Sequence, residues 1–131
     1  MSSKRERHQQ RLADVNALGK VLTRRARSKC ELCEEEGRLK VVEVPPVEEE
    51  PGVEAAILAC PRCVDLVEGK GRQSADELRF LENAVWADPT PVKVASVRMV
   101  RGLSDRGVHW ATDLLDGLWL PDEIVSLLGD N

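Results

Sequence analysis

The apolar positions Leu12, Val15, Leu18 and Leu22 recur at helical spacing, and Lys20, Arg24 and Arg27 fall near the opposite face. This pattern predicts one amphipathic helix over about residues 8–27, with a polar, frayed stretch before it. The period then changes. Arg38–Val44 (RLKVVEV) and Val53–Cys60 (VEAAILAC) are short apolar runs, the first β-branched and bounded by Gly37 and Pro45-Pro46. They read as two strands, with the Pro- and Glu-rich Pro45–Gly52 as the tip of a long hairpin. After Cys63, the run VDLVEGKG predicts a short helix closed by Gly69 and Gly71.

The second half reads as helical. Ser74-Ala-Asp-Glu77 is a capping-box pattern and opens a helix with Leu78, Leu81 and Val85 on its inner side. Asp88-Pro89-Thr90-Pro91 breaks it. Thr90 as N-cap and Pro91 at the first helical position then start a helix carrying Val92, Ala95, Met99 and Leu103 inward, stopped at Gly107. A short helix over Trp110–Asp116 and a last one after Pro121, with Ile124, Leu127 and Leu128, complete the pattern. The glycine-rich GKGRQ at residues 69–73 is the linker candidate, so the expected division is a basic arm (1–11), a metal-binding unit with its N-terminal helix (12–69) and a helical region (70–131).

Composition alters this picture in one respect. There is no Tyr and one Phe, and all three Trp (Trp86, Trp110, Trp119) lie in the second half, where they are expected to anchor the core, with an interaction patch as the alternative role for one of them. The first half therefore needs something besides bulk packing to hold it. Charge is also uneven. Residues 1–29 hold nine basic and two acidic side chains, a balance of +7, whereas the remainder stands at −11. This fits a basic arm folded back on an acidic body better than a polyanion-binding arm, because an acidic whole weakens non-specific affinity for nucleic acid.

What can hold the first half is a metal. Cys30-Glu-Leu-Cys33 and Cys60-Pro-Arg-Cys63 are separated by 26 residues. A CxxC turn sets two thiolates about one tetrahedral edge apart, and a hairpin can bring two such turns together. Nothing at the N-terminus resembles a secretory signal, and no apolar run approaches the roughly 18 residues of a membrane span. A cytoplasmic, reducing location is thus expected, in which thiolates bind metal rather than forming disulfides. A thioredoxin-like reading explains one CxxC and not both. One Zn²⁺ held by Cys30, Cys33, Cys60 and Cys63 is the expectation, although spacing alone also admits iron. With all four positions taken by sulfur, such an ion is structural, leaving no open place for water or substrate.

The order of knuckle, hairpin and CxxC-led helix is that of a treble clef or zinc ribbon, a frame also used by HNH-type nucleases. Those enzymes need a histidine on the hairpin. Here that strand end reads Val42-Glu43-Val44-Pro45-Pro46, and His8 and His109 lie elsewhere. Glu48, Glu49 and Glu50 at the hairpin tip, with Glu43 and Glu54 near it, would repel a phosphate backbone. The candidate nucleic-acid contact is therefore the helix bearing Lys20, Arg24, Arg25 and Arg27, although no aromatic is interleaved there for base stacking. His109 beside Trp110 reads as a helix-boundary residue. Asp113, Asp116, Asp122 and Glu123 read as cap and surface acids.

Taken in order, SKCELC, VVEVPP, ILACPRC, LENAVWADPTPVKVASVRMVRGL and WATDLLDGLWLPDE resemble the PhnA-type family, named after an alkylphosphonate-utilisation operon. The similarity runs from about Leu18 to Glu123 and rests on the Cys-Glu-Leu-Cys, Glu-Val-Pro-Pro, Trp-x5-Val, Arg-Met and Asp-Leu-Leu-Asp blocks in series. The resemblance implies a zinc-binding domain with Cys30, Cys33, Cys60 and Cys63 as ligands. Many members carry a small β-barrel domain after the last block, which the residues up to Asn131 do not supply. The family name records genomic company and implies no phosphonate hydrolysis. Such a reaction would want an open metal site with carboxylates and histidines.

The expectation is therefore an α+β protein: a small zinc-stapled hairpin unit preceded by an amphipathic helix and followed by a helical subdomain. It is expected to have no catalytic activity or small-molecule substrate, to stay off membranes, and to act as an adaptor or regulator through protein contacts. The rivals are a nucleic-acid-associated factor using the basic helix, and an enzyme of phosphonate metabolism or a degenerate nuclease.

Overall fold

The computed structural model of the chain describes residues 3–71 and 73–129. Met1 and Ser2 of the expected arm, Arg72 of the expected linker, and Asp130 and Asn131 lie outside the described residues.

Two helices form where one was expected. α1 (Lys4–Asn16) is opened by Ser3, whose Oγ accepts from the Glu6 amide at 3.1 Å, so the chain is helical from four residues earlier than its apolar pattern suggests. At Ala17–Leu18 the ladder tightens, Leu18 N donating to Val15 O at 3.0 Å, before α2 (Gly19–Ala26) resumes. Asn16 and Gly19 are weak helix formers. Gly19 also backs onto the hairpin, where a Cβ would lie 3.9 Å from Val41 Cγ2. The bend brings Val15 and Leu22 onto the same small apolar patch of Val41, Ala56 and Leu58. Leu12, expected on the inner face, is half exposed. α1 is about 20 Å long and the strand beneath it about 13 Å, so the helix overruns its partner.

β1 (Lys40–Glu43) and β2 (Ala56–Ala59) pair antiparallel, with Lys40 opposite Ala59 and Glu43 opposite Ala56. Both are shorter than expected. A 3₁₀ turn at Val53–Ala55 consumes the start of the second run. Side chains alternate between the faces. Val41, Ala56 and Leu58 turn to α1 and α2, while Val42, Val44, Ile57 and Ala59 join the larger core on the other side. All four β2 residues are buried, which explains why AILA is uninterrupted apolar sequence.

The larger core is continuous from the cysteines into the C-terminal helices. α3 (Pro61–Val67) follows β2 directly. Ser74 and Glu77 make the reciprocal bonds of a capping box, at 3.0 and 3.3 Å, but a 3₁₀ turn (Asp76–Leu78) and the short α4 (Leu81–Ala84) follow in place of one helix. Leu78, Leu81 and Val85 are buried as expected. α5 (Thr90–Asp105) is the central helix and buries Val94, Val97 and Val100 besides Val92, Ala95 and Leu103; Met99 is only partly covered. Its N-cap is Pro89, and Thr90 makes no capping bond. Gly107, at φ 85°, ends it: Gly107 N reaches Ser104 O at 3.0 Å and Val108 N reaches Leu103 O at 3.0 Å, a Schellman closure. α6 (His109–Asp116) and α7 (Asp122–Leu128) then pack on α5.

The tryptophans depart from expectation. Trp86 is 57% and Trp119 77% exposed. Only Trp110 is half-buried, under Arg79, whose Cζ lies 5.2 Å from a ring centroid. Aliphatic side chains of α5, with many β-branched residues, fill the centre instead.

Arginines take over part of the tying. Arg11 forms a two-pronged ion pair with Glu43 (3.0 and 2.7 Å) and donates to the carbonyls of Glu48 and Glu49, folding the basic helix onto the acidic hairpin. Arg98 of α5 donates to Pro45 O at the hairpin end and to Leu127 O of α7. The tightest tie is Arg25–Glu31. Arg25 Nε and Nη2 meet the carboxylate at 2.8 Å each, and its Nη1 and Nη2 also donate to Val53 O and Ala56 O at 2.8 Å. Glu31 in turn accepts from Leu58 N at 2.9 Å and donates its own amide to Leu58 O at 2.8 Å. The outer edge of β2 is thereby sealed.

Removing one partner of this clamp strands the other. The Glu31 side chain is 4% and that of Arg25 23% exposed, so Glu31→Ala is expected to cost about 3 kcal/mol in urea unfolding. Arg24→Ala, one position away on the exposed side, is expected to change stability by less than about 0.5 kcal/mol. Equal effects of the two would refute the clamp.

Candidate metal centre

Each cysteine pair is presented by a different local device. α2 ends with Arg27 and Ser28 at φ 55° and 63°, a left-handed exit that turns the chain into the first knuckle. There Glu34 N donates to Cys30 O and Cys30 N to Glu35 O, both at 2.9 Å, closing a loop around Cys30–Cys33. Glu34 itself stands at φ 66°. The second pair needs no loop. Cys60 is the N-cap of α3 and Pro61 its first residue, a position that suits proline, and Cys63 lies on the first turn. Leu58, held by Glu31, precedes Cys60 by two residues. The clamp thus registers one knuckle against the other.

The four Sγ atoms come together, all within 4.8 Å of one another. Cys33 and Cys60 are 3.6 Å apart. A tetrahedron with metal–sulfur bonds of about 2.3 Å has edges of about 3.8 Å, whereas a disulfide brings sulfurs to about 2.05 Å. All four cysteines are free. Cys30, Cys60 and Cys63 are buried and Cys33 is half-buried. The four-cysteine cluster can therefore hold a metal ion, in a zinc-ribbon-like α+β setting. Among the described residues no other group of three or more His, Cys, Asp or Glu side chains is placed to share an ion.

Without an ion the sulfurs cannot all be anionic. Cys30 is lowered to about 4, first because it accepts from the Cys63 thiol and then through the backbone around Cys33, Cys60 and Leu32. Cys63 is correspondingly raised by donating that bond, by burial and by its neighbours' charge. Cys33 is raised to about 11, chiefly by burial. A second sign is Arg62. Its Nε is buried with no hydrogen-bond partner among the described residues. Both observations suit a site completed by a cation bound to thiolates.

The remaining candidates separate clearly. Lys20, Arg24 and Arg27 are exposed and form no ion pair among the described residues. Arg25 does not belong with them: it points inward to Glu31 and is a structural tie. Its position was readable, since Leu18, Leu22 and Arg25 follow at i, i+4 and i+7 on the inner face. His8 and His109 are exposed, on α1 and at the first position of α6. At the hairpin end, Val42 and Val44 are buried and Glu43 is engaged by Arg11. Glu31 and Arg62, both inside CxxC turns, are the functional neighbours that residue-type reasoning passed over. No helix is long and apolar enough to cross a membrane among the described residues.

Compared with models of known families, with curated proteins and with solved structures, the chain matches none.

Binding an ion to all four sulfurs must displace the protons held by Cys33 and Cys63, since both are raised above neutral pH. Metal affinity is accordingly expected to rise from about pH 6 to about pH 8, with protons released on binding. Competitive titration with a coloured chelator in two buffers of different ionisation enthalpy measures both. Affinity independent of pH would contradict proton displacement from Cys33 and Cys63.

Proposed function

We propose that the chain is a non-catalytic zinc protein of the PhnA type, with one structural Zn²⁺ on Cys30, Cys33, Cys60 and Cys63. The observation that carries this reading is the closeness of all four sulfurs, within 4.8 Å of one another, so that an ion bound by all four would have no position left for water. Zinc suits four thiolates at tetrahedral spacing, and its binding would contribute on the order of 10–16 kcal/mol to folding. Treble-clef organisation is supported by the order of knuckle, hairpin and helix. The PhnA type is proposed on the ordered sequence blocks alone; two of them, Glu-Val-Pro-Pro and Arg-Met, line one small cavity of about 180 Å³ through Val44, Pro45, Arg98 and Met99.

The role is that of an adaptor or regulator working through protein contacts in the cytoplasm. Support comes from the two exposed tryptophans. Trp86 stands beside the first knuckle, lining a depression of about 300 Å³ with Leu32, Cys33 and Phe80, and Trp119 projects from the link between α6 and α7. Exposed indoles of this kind favour contact with another protein. The rival use of the basic helix for nucleic acid retains Lys20, Arg24 and Arg27 but loses Arg25.

Elemental analysis of the purified protein is expected to give one zinc per chain, with chelation unfolding the hairpin and its cysteines together. Absence of metal, or an ion carrying exchangeable water, would overturn the structural role. In parallel, affinity for DNA and RNA is expected to be weak and unchanged by Arg24→Glu with Arg27→Glu. A steep salt dependence abolished by that pair would favour the nucleic-acid reading instead.

A further inference from the structure

Arg62 occupies the third position of Cys60-Pro-Arg-Cys63, between two of the clustered cysteines in sequence. Its guanidinium Cζ lies 5.1 Å from the Phe80 ring centroid, so Phe80 fixes one face of it. Glu35 is its nearest carboxylate, but at 4.0 Å, with the Glu35 side chain 64% exposed. That is too long for a hydrogen bond and too wet for a strong ion pair. Nε is buried and unpartnered among the described residues. A buried N–H left unmade is costly, and a native structure rarely tolerates one without cause. Burial opposes the charge of this guanidinium, and the side chains near enough to offset it are Cys33, which the guanidinium meets at hydrogen-bond range, Cys63 and Glu35, with Phe80 on its face.

A neutral thiol is a poor acceptor for that N–H, while a thiolate bound to a metal keeps lone pairs and negative charge for it. Four thiolates around a dication leave a net charge of −2 in a largely buried place, which a single fixed cation partly balances. Cys33 is the one sulfur of the four that is not fully buried, so it is where water, a chelator or an electrophile would first reach the metal. Resting on the four-thiolate reading above, we propose that Arg62 is the positioning residue for Cys33. It donates to the metal-bound Cys33 thiolate and holds that ligand, the exposed corner of the site, on the ion.

The test uses the full chain loaded with Zn²⁺ or Co²⁺, in wild type, Arg62→Met, Arg62→Gln, Arg62→Lys and Phe80→Leu forms. Arg62→Met keeps an unbranched stem over Phe80 and removes only the donor and the charge. Metal transfer to a coloured chelator is expected to be ~10-fold or more faster in Arg62→Met and Arg62→Gln, and partly restored in Arg62→Lys. In the cobalt form, loss of the donor should shift the sulfur-to-metal charge-transfer band. Iodoacetamide should modify Cys33 before the other three, sooner in Arg62→Met than in wild type. In loaded wild type the Arg62 Nε–H proton should exchange with solvent more slowly than in the metal-free protein, a reading that needs no variant.

A purely structural arginine would lower the melting temperature, as Phe80→Leu should, while leaving the band, the transfer rate and the order of alkylation untouched. That pattern in Arg62→Met would overturn the proposal alone. Wild type that takes up no metal would overturn the four-thiolate reading, and this proposal with it.

Discussion

Four sulfurs converging on one point is the constraint around which this fold is arranged. Burial and contact with one another push Cys33 and Cys63 toward their protonated forms, while Cys30 is lowered by the hydrogen bond from Cys63. The polypeptide brings the sulfurs to within 4.8 Å by main-chain means: a left-handed loop for one pair, a proline-led helix start for the other. Neither device would hold alone. The two are joined across the hairpin, so geometry at the cluster and register of β1 on β2 are the same requirement.

That coupling explains where the arginines went. The first half has too few large apolar side chains to pack a four-residue hairpin on both faces, and its second core is only five buried residues. Directional, charge-assisted bonds compensate. Arg11 ties α1 to Glu43 and the hairpin loop, Arg25 ties α2 to the knuckle and the edge of β2, and Arg98 ties α5 and α7 to the hairpin end. The charge asymmetry between the chain's two parts is thus partly spent inside the molecule, as a basic arm folded on an acidic hairpin. What remains outside on α2 is Lys20, Arg24 and Arg27.

Much of the fold was legible because its signals are local. Proline and glycine bracketed the strands, Gly107 marked the end of α5, and paired CxxC spacing identified the cluster. The misreadings share a cause: each residue's fate depended on something distant in sequence. Leu12 belongs to a helical stripe but finds no strand beneath it. Trp86 and Trp119 are large enough to anchor a core, yet α5 had already filled that core. Arg25 looks like its neighbours Arg24 and Arg27 until Glu31 and the β2 carbonyls are placed around it. Arg62 is one more surface arginine by type, and its Nε becomes a buried donor without a partner among the described residues only when α3 is docked.

The sequence by itself therefore determined the four-cysteine cluster, the order of elements and the α+β class, since spacing and periodicity are properties of neighbouring residues. Only the tertiary structure decided that the hairpin is covered on both faces, that the basic helix breaks in two, and which arginines point inward. Those outcomes follow from competition for a limited buried volume and for unpaired main-chain groups. No stretch of chain can settle such a competition before the others are in place.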